Sequence, residues 1–294
     1  MKLFDESLGF FKGNTHMHTT LSDGRLSPAD AIARYAAQGY DFVTLTDHRV
    51  ISPERREQGL LVLSGTELDY GFSNQVVHIT ALGLAAAFDA QAVCDEDAGA
   101  RPEDGVAAIR AAGGRAILAH PCWSLNTLEM LARLDGIAAL EIYNTVSGSP
   151  WNADRAESAS FSDVASTNGR VVPVVGADDA HFYDGDECQT CILVNARELT
   201  REALLEAVDA GRFYATRGPR IEQAELADGR LTVRCRGAQK VIFYSNNVWT
   251  EGRCQVGDDI REAVYALRRS DRFVRVEVVD AAGRKAYLSP IPVR

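Results

Sequence analysis

Six histidines and a few carboxylates carry most of the chemistry that can be read from this 294-residue chain. His16, His18, His48, His78, His120 and His181 each fall at or just beyond the C-terminal end of a short β-rich run. In a parallel α/β barrel such ends converge on one mouth, where sites are built. His16 and His18 flank Met17, so strand alternation turns both imidazoles to one side, within reach of a single cation. Asp23, in Ser22-Asp23-Gly24, is either a turn residue or a carboxylate carried toward that pair. His48 closes Thr46-Asp47-His48 as a candidate ligand, with Asp47 either orienting its ring or capping the turn. Glu67 follows the third run in Gly65-Thr66-Glu67, where a carboxylate can bridge two cations. His120 precedes Pro121, and Asp178-Asp179-Ala180-His181 adds acid and imidazole together. Nitrogen and oxygen donors without a thiolate favour zinc, manganese or iron over a soft-metal site. Cys188-Gln189-Thr190-Cys191 lacks the two further ligands a structural zinc needs, and it leads into Ile192-Leu193-Val194, which reads as strand.

The elements that must position these residues follow one rhythm up to residue 218. Short apolar runs at 11–16, 42–46, 60–64, 76–82, 115–120, 138–143 and 171–176 have the composition of strands buried on both faces. Helical patterns at 27–39, 102–112, 125–134 and 200–210 lie between or after them. The first has Ser27 as N-cap, Pro28 at N1, Asp30 at N3 and Gly39 as its stop. Alternation of this kind implies an α/β fold with a parallel sheet, open or closed into a barrel. After Arg217-Gly218-Pro219 the grammar changes to alternating runs at 221–226, 230–236, 240–244, 263–267, 274–279 and 284–288, as in a small antiparallel sandwich. Two domains, 1–218 and 219–294, are therefore expected.

Taken in order, His16-x-His18, Ser22-Asp23-Gly24, Thr46-Asp47-His48, Gly65-x-Glu67, His78, His120-Pro121 and Asp179-Ala180-His181 resemble the polymerase and histidinol phosphatase (PHP) domain of metal-dependent phosphoesterases, across about residues 1–218. The resemblance implies a distorted (βα)7 TIM-like barrel and a cluster of two or three divalent cations (Zn, Mn or Fe), trinuclear when full. It puts His16, His18, Glu67 and Asp179 on the first cation, with Glu67 bridging to a second held by His78 and His120. Asp23, His48 and His181 hold the third. The family spacing Asp-x-His selects Asp179 over Asp178. Glu67, Asp179 and His181 are the expected catalytic set. Arg49, where many relatives carry a smaller polar or acidic residue, either touches substrate phosphate or sits on the rim. Either Arg217 or Arg220 reaches a phosphate, or the segment around Arg217-Gly218-Pro219 is a hinge between the domains.

Two cations about 3.5–4 Å apart lower the pKa of a bridging water and hold a phosphoryl oxygen against it, so in-line attack of a hydroxide on phosphorus is the expected chemistry. The expected enzyme is a phosphoric ester hydrolase, phosphatase or phosphodiesterase, acting on a small phosphorylated metabolite: a nucleotide, a nucleoside bisphosphate or a cyclic phosphate. An exonuclease of the same family and a non-catalytic metal-binding module are the alternatives. With 31 Lys+Arg against 41 Asp+Glu, a formal net charge of −10, the chain lacks the cationic excess that nucleic-acid or anionic-membrane binding uses. Residues 1–11 carry Lys2, Asp5 and Glu6 with no apolar run, and no stretch approaches the ~18 apolar residues of a membrane span, so a cytoplasmic location is expected. Six scattered cysteines read as reduced thiols.

Overall fold

The computed structural model describes residues 1–293. In the first half, strands β1 (Gly9–Asn14), β2 (Phe42–Thr44), β3 (Arg55–Glu57), β4 (Leu60–Leu63), β5 (Gly65–Gly71), β6 (Val76–Leu82), β7 (Arg115–Leu118) and β8 (Ala139–Asn144) are interleaved with helices α1 (Pro28–Ala37), α2 (Pro102–Ala111) and α3 (Leu128–Arg133). There follow α4 (Ala159–Thr167), β9 (Val174–Ala177), β10 (Cys191–Ala196), α5 (Arg201–Asp209) and β11 (Phe213–Thr216). Antiparallel strands β12 (Arg220–Ala227), β13 (Arg230–Tyr244), β14 (Cys254–Ala266), β15 (Phe273–Val279) and β16 (Lys285–Pro292) complete the chain.

The result is a mixed α/β protein that is richer in strand than one helix per strand implies. An 11-stranded sheet runs β12-β13-β15-β16-β11-β10-β1-β2-β4-β3, with β14 on β13, and a 5-stranded sheet runs β5-β6-β7-β8-β9. The parallel pairs are β1–β2, β2–β4, β7–β8 and β8–β9, but the run 76–82, expected to be parallel like the others, forms β6 antiparallel to both β5 and β7. One buried cluster joins Phe42, Leu61 and Leu63 of the larger sheet to Leu68, Ile79, Ile117 and Leu140 of the smaller. Short bridges tie the two sheets at one end: Met17 to Ala180 and His48 to Glu67. Gly65 permits the second approach, because a Cβ there would lie 2.3 Å from the Thr44 side chain and 2.7 Å from the Ala81 carbonyl.

The helix expected at 27–39 forms with its Ser27 cap accepting from Asp30 N. The one expected at 125–134 starts only at Leu128, because Leu125 takes φ +58° and Thr127 provides the cap. Helix α4 lacked a clear signal: four of its nine residues are Ser or Thr, which favour caps and turns in isolation. The C-terminal strands are antiparallel as expected, yet continuous with the first sheet, since β16 pairs with β11 through Ala215–Tyr287 and Thr216–Ala286. The two runs 230–236 and 240–244 form a single strand, β13, with register shifts around Ala238. Among the described residues no helix is long and apolar enough to cross a membrane.

Candidate metal centre

The end at which the sheets are tied is also where the imidazoles gather. Beyond β1 the chain continues extended, with Asp179 N donating to His16 O at 2.9 Å and His18 N to Ala180 O at 2.9 Å. Met17 is turned into the core, so His16 and His18 face together. Gly24 lets the following turn fold back, since a Cβ there would sit 2.4 Å from the His18 carbonyl carbon and oxygen. That turn brings Asp23 Oδ1 to 3.3 Å from His18 Nδ1.

Two expectations about position are corrected. Glu67 lies within β5 rather than at a strand end, and His78 is the third residue of β6, near its start. Antiparallel pairing is the reason they reach the site. Ile79 pairs with Leu118, so the start of β6 lies beside the end of β7, where His120 follows.

Three groups of donors result, formed by His16, His18, Glu67 and Asp179, by Glu67, His78 and His120, and by His18, Asp23, His48 and His181. In the first, His16 Nε2 lies 3.2 Å from His18 Nε2, 3.2 Å from Glu67 Oε2 and 3.0 Å from Asp179 Oδ1. His18 Nε2 lies 3.0 Å from Glu67 Oε2 and 3.1 Å from Asp179 Oδ1. Five of the six separations among these four atoms are therefore 3.0–3.2 Å, close to the edge of about 3.3 Å of a tetrahedron of donors each about 2 Å from one zinc. Glu67 turns its other oxygen to the second group, with Oε1 at 3.0 Å from His78 Nδ1 and 3.5 Å from His120 Nε2. In the third, Asp23 Oδ2 lies 3.5 Å from His181 Nε2 and 3.8 Å from His48 Nε2. His18 commits Nε2 to the first group, which leaves Asp23, His48 and His181 as the distinct donors of the third.

The residues fit cations on independent grounds. His16 Nδ1 is 2.8 Å from Glu141 Oε1, and His181 Nδ1 is 2.7 Å from the Asp179 carbonyl. Each acceptor fixes the proton on Nδ1 and leaves a lone pair at Nε2, the state a metal requires. Asp179 Oδ1 is buried without a hydrogen-bond partner, an arrangement that costs free energy unless a cation satisfies it. Asp179 and His120 also hold left-handed backbones, φ +55° and +29°, worth about 1–3 kcal/mol of strain each.

Without metal the groups polarise one another. Burial opposes charge on His16 and His18, but the carboxylates of Asp179 and Glu67 outweigh it and raise both rings well above the usual value. Burial likewise opposes the charges of Glu67 and Asp179, yet the imidazoles, His16 among them, hold both well below the usual range. Raised imidazoles stabilise the metal-free fold below the unfolded value of about 6.5, and that contribution is lost as pH rises through the folded pKa; the depressed carboxylates contribute above about 4. Cations need neutral rings. The melting-temperature difference between loaded and chelated protein is therefore expected to widen as pH rises from about 6 to 8. Scanning fluorimetry showing it narrow would mean that these rings are not ligands.

Around the groups lies a cleft of about 170 Å³, walled additionally by Trp123, Val146, Ser147, Asn152 and Phe182. None of Arg49, Arg217 and Arg220 is on it. Arg49 is held bidentate by Asp69, at 2.9 and 2.8 Å, and Arg217 lies over the Tyr143 ring, 4.1 Å from its centroid. Asp47 does not reach the His48 ring; it accepts from Thr19 N, Thr19 Oγ1 and Ser22 Oγ, so it secures the turn that carries Asp23. Asp178 faces away, accepting from Tyr35, Thr145 and the backbone of Cys188, Gln189 and Thr190. All six cysteines are free thiols, with Cys191 opening β10.

Glu141 and Asn144 escaped the sequence reading. Fully buried on β8, Glu141 receives His120 N at 2.9 Å and Asn144 Nδ2 at 2.8 Å besides holding His16. Its signal was an acid inside the apolar run 138–143. Glu141→Gln, which keeps the volume and removes the charge, is expected to weaken metal affinity by about 10–100-fold. Competition against a chromogenic chelator reads this directly, and an unchanged affinity would remove Glu141 from the support of His16.

No protein-family model matches the chain. It is 32% identical over 79 residues to a 5'-3' exoribonuclease of Haemophilus influenzae, covering 25% of this chain and 29% of that protein. It is also 32% identical over 75 residues to a 3',5'-nucleoside bisphosphate phosphatase of Chromobacterium violaceum, covering 24% and 26%. The matches thus span less than a third of either relative. A solved two-domain protein of Bacteroides vulgatus, containing a predicted PHP-like metal-dependent phosphoesterase, superposes with TM-score 0.55 at 16% identity, over 94% of this chain and 92% of that one. The fold is therefore shared across nearly the whole length.

Proposed function

We propose that this chain is a metal-dependent phosphoesterase of the PHP type that hydrolyses a small phosphorylated metabolite. The observation that carries the reading is Glu67, whose two oxygens serve two adjacent groups of imidazoles. The reading takes residues 1–218 as a distorted (βα)7 barrel, 219–294 as an attached β-rich unit, and the cytoplasm as location.

His16, His18, Glu67 and Asp179 would hold one divalent cation, His78 and His120 with Glu67 a second, and Asp23, His48 and His181 a third. Zinc, manganese and iron all suit this donor set. When bound, such cations acidify coordinated water and neutralise charge on phosphoryl oxygens. The protein's own part is to fix the donors. Glu141 and the Asp179 carbonyl set the tautomers of His16 and His181, and Asn144 holds Asp179 Oδ2 at 3.2 Å. With two cations bound, His181 Nε2 remains at the cleft wall, placed to hold and pass a proton to the leaving alcohol.

Among the described residues the cleft is lined by no Lys or Arg, so phosphate recognition falls to the cations. Its remaining walls, Trp123 and Phe182 above all, suit the flat, apolar face of a nucleobase. Trp123→Ala is expected to raise KM for nucleotide substrates about tenfold, from stacking worth ~1–3 kcal/mol, with kcat for a small alkyl phosphate nearly unchanged. Equal loss on both substrate types would assign Trp123 to support of His120, whose ring centroid is 4.9 Å away.

A second reading, exonucleolytic release of nucleotides from RNA, is favoured by the equal identity to the exoribonuclease. The formal charge of −10 and the lining of the cleft give a strand backbone no cationic track. Protein loaded with manganese, zinc or iron should be assayed against mononucleotides, nucleoside bisphosphates, cyclic phosphates and oligoribonucleotides. Inactivity on all four sinks the phosphoesterase reading. Preference for the oligomers replaces the small-metabolite reading with the second.

A further inference from the structure

On the larger sheet, outside the metal centre, lies a separate pocket of about 200 Å³ bordered by Lys12, Tyr40, Cys191, Arg217 and Arg220. No acidic residue lines it. Among the described residues no carboxylate oxygen comes within 4.0 Å of a side-chain nitrogen of Lys12, Arg217 or Arg220. Arg217 lies over Tyr143, a wall of a different hollow that also holds Asp154 and Glu157, so in a chain of formal charge −10 Lys12 and Arg220 are the cations left to this one.

Lys12 is also prepared for a ligand. Lys12 Nζ is pinned 3.9 Å over the Tyr40 ring and donates to Gln38 O at 3.0 Å, so part of its ordering cost is already met. Arg220 is exposed at the mouth. It and Leu193 also border a neighbouring hollow of about 280 Å³, whose walls include Phe10, Tyr214 and Ile221. The groove is therefore cationic at one end, while the other offers these apolar side chains beside the Glu222–Arg236 ion pair.

We propose that this groove binds a small organic anion, its phosphate-type oxyanion between Lys12 and Arg220 and its apolar body along Leu193 and Phe10. Charge-assisted hydrogen bonds would hold the head, and the pocket shares no lining residue with the metal cleft, so the site is expected to act independently of turnover.

Titrating the metal-loaded, full-length protein with inorganic phosphate by calorimetry is expected to show two classes of site, of which one survives chelation of the metals. Lys12→Gln combined with Arg220→Gln should weaken the surviving class about tenfold or more and leave both the metal-dependent class and the rate of hydrolysis unchanged. Lys12→Arg with Arg220→Lys, which keeps the charges, should retain binding and so separates charge from folding. Phosphate binding that vanishes wholly on chelation, or that persists undiminished in the double glutamine variant, overturns the proposal.

Discussion

Glu67→Gln is expected to lower kcat by about 10³-fold, close to 4 kcal/mol of transition-state stabilisation, and to reduce the bound metal by at least one equivalent. Five imidazoles approach this carboxylate: His18 and His78 at 3.0 Å, His16 at 3.2 Å, and His48 and His120 at 3.5 Å. An amide offers one oxygen acceptor and turns an NH2 toward whatever the second oxygen served. Both donor groups that share Glu67 therefore lose anionic charge, while volume and burial are kept. Metal content by plasma emission and steady-state rates should be measured on the same preparation, with circular dichroism reporting the fold. A variant with full metal content and a rate near that of the parent would refute the shared-carboxylate arrangement.

Arg275→Met is expected to destabilise the protein by about 3–5 kcal/mol, because removing one partner leaves buried charge uncompensated. Arg275, on β15, is fully buried, with Nε at 2.7 Å and Nη2 at 2.9 Å from Asp163 of α4, and Nη1 at 2.8 Å from Glu277. Burial opposes its charge, yet Asp163 and Glu277 more than compensate and raise its pKa. Methionine matches the stem but leaves Asp163 without its bidentate partner. Glu277 would retain Lys285, whose Nζ lies 3.2 Å away. Adding Asp163→Asn to Arg275→Met should accordingly recover part of the loss. Urea unfolding of the single and double variants measures both quantities, and a single-variant cost below about 1 kcal/mol, the range of exposed pairs, would mean that this contact does not hold α4 to the C-terminal strands.

How much of this protein its sequence determines differs from one feature to the next. His16, His18 and Met17 needed only strand alternation, a local rule with a period of two residues, and both imidazoles do face one way. Ser27-Pro28 capped its helix as written. The candidate donors themselves stood out because imidazoles and acids recurring in or beside short apolar runs have few structural uses, although Glu67 and His78 do not lie at the strand ends expected of them. What tertiary structure alone decided was which charges meet. Glu141 is 125 residues from His16 in the chain, and nothing within its own strand shows that it will hold that ring. Arg49 looked free for a phosphate until β5 carried Asp69 beside it, and Arg217 until β8 placed Tyr143 beneath it. His78 reaches the cleft only because β6 runs antiparallel to both neighbours, a choice of direction its own apolar pattern does not encode. Propensity and periodicity act within a few residues, whereas Coulomb attraction and burial act between whichever residues the fold brings together. The chain could thus announce its candidate donors in advance, while the partners that orient them, and the arginines withdrawn from the site, emerged only with the packing of the two sheets.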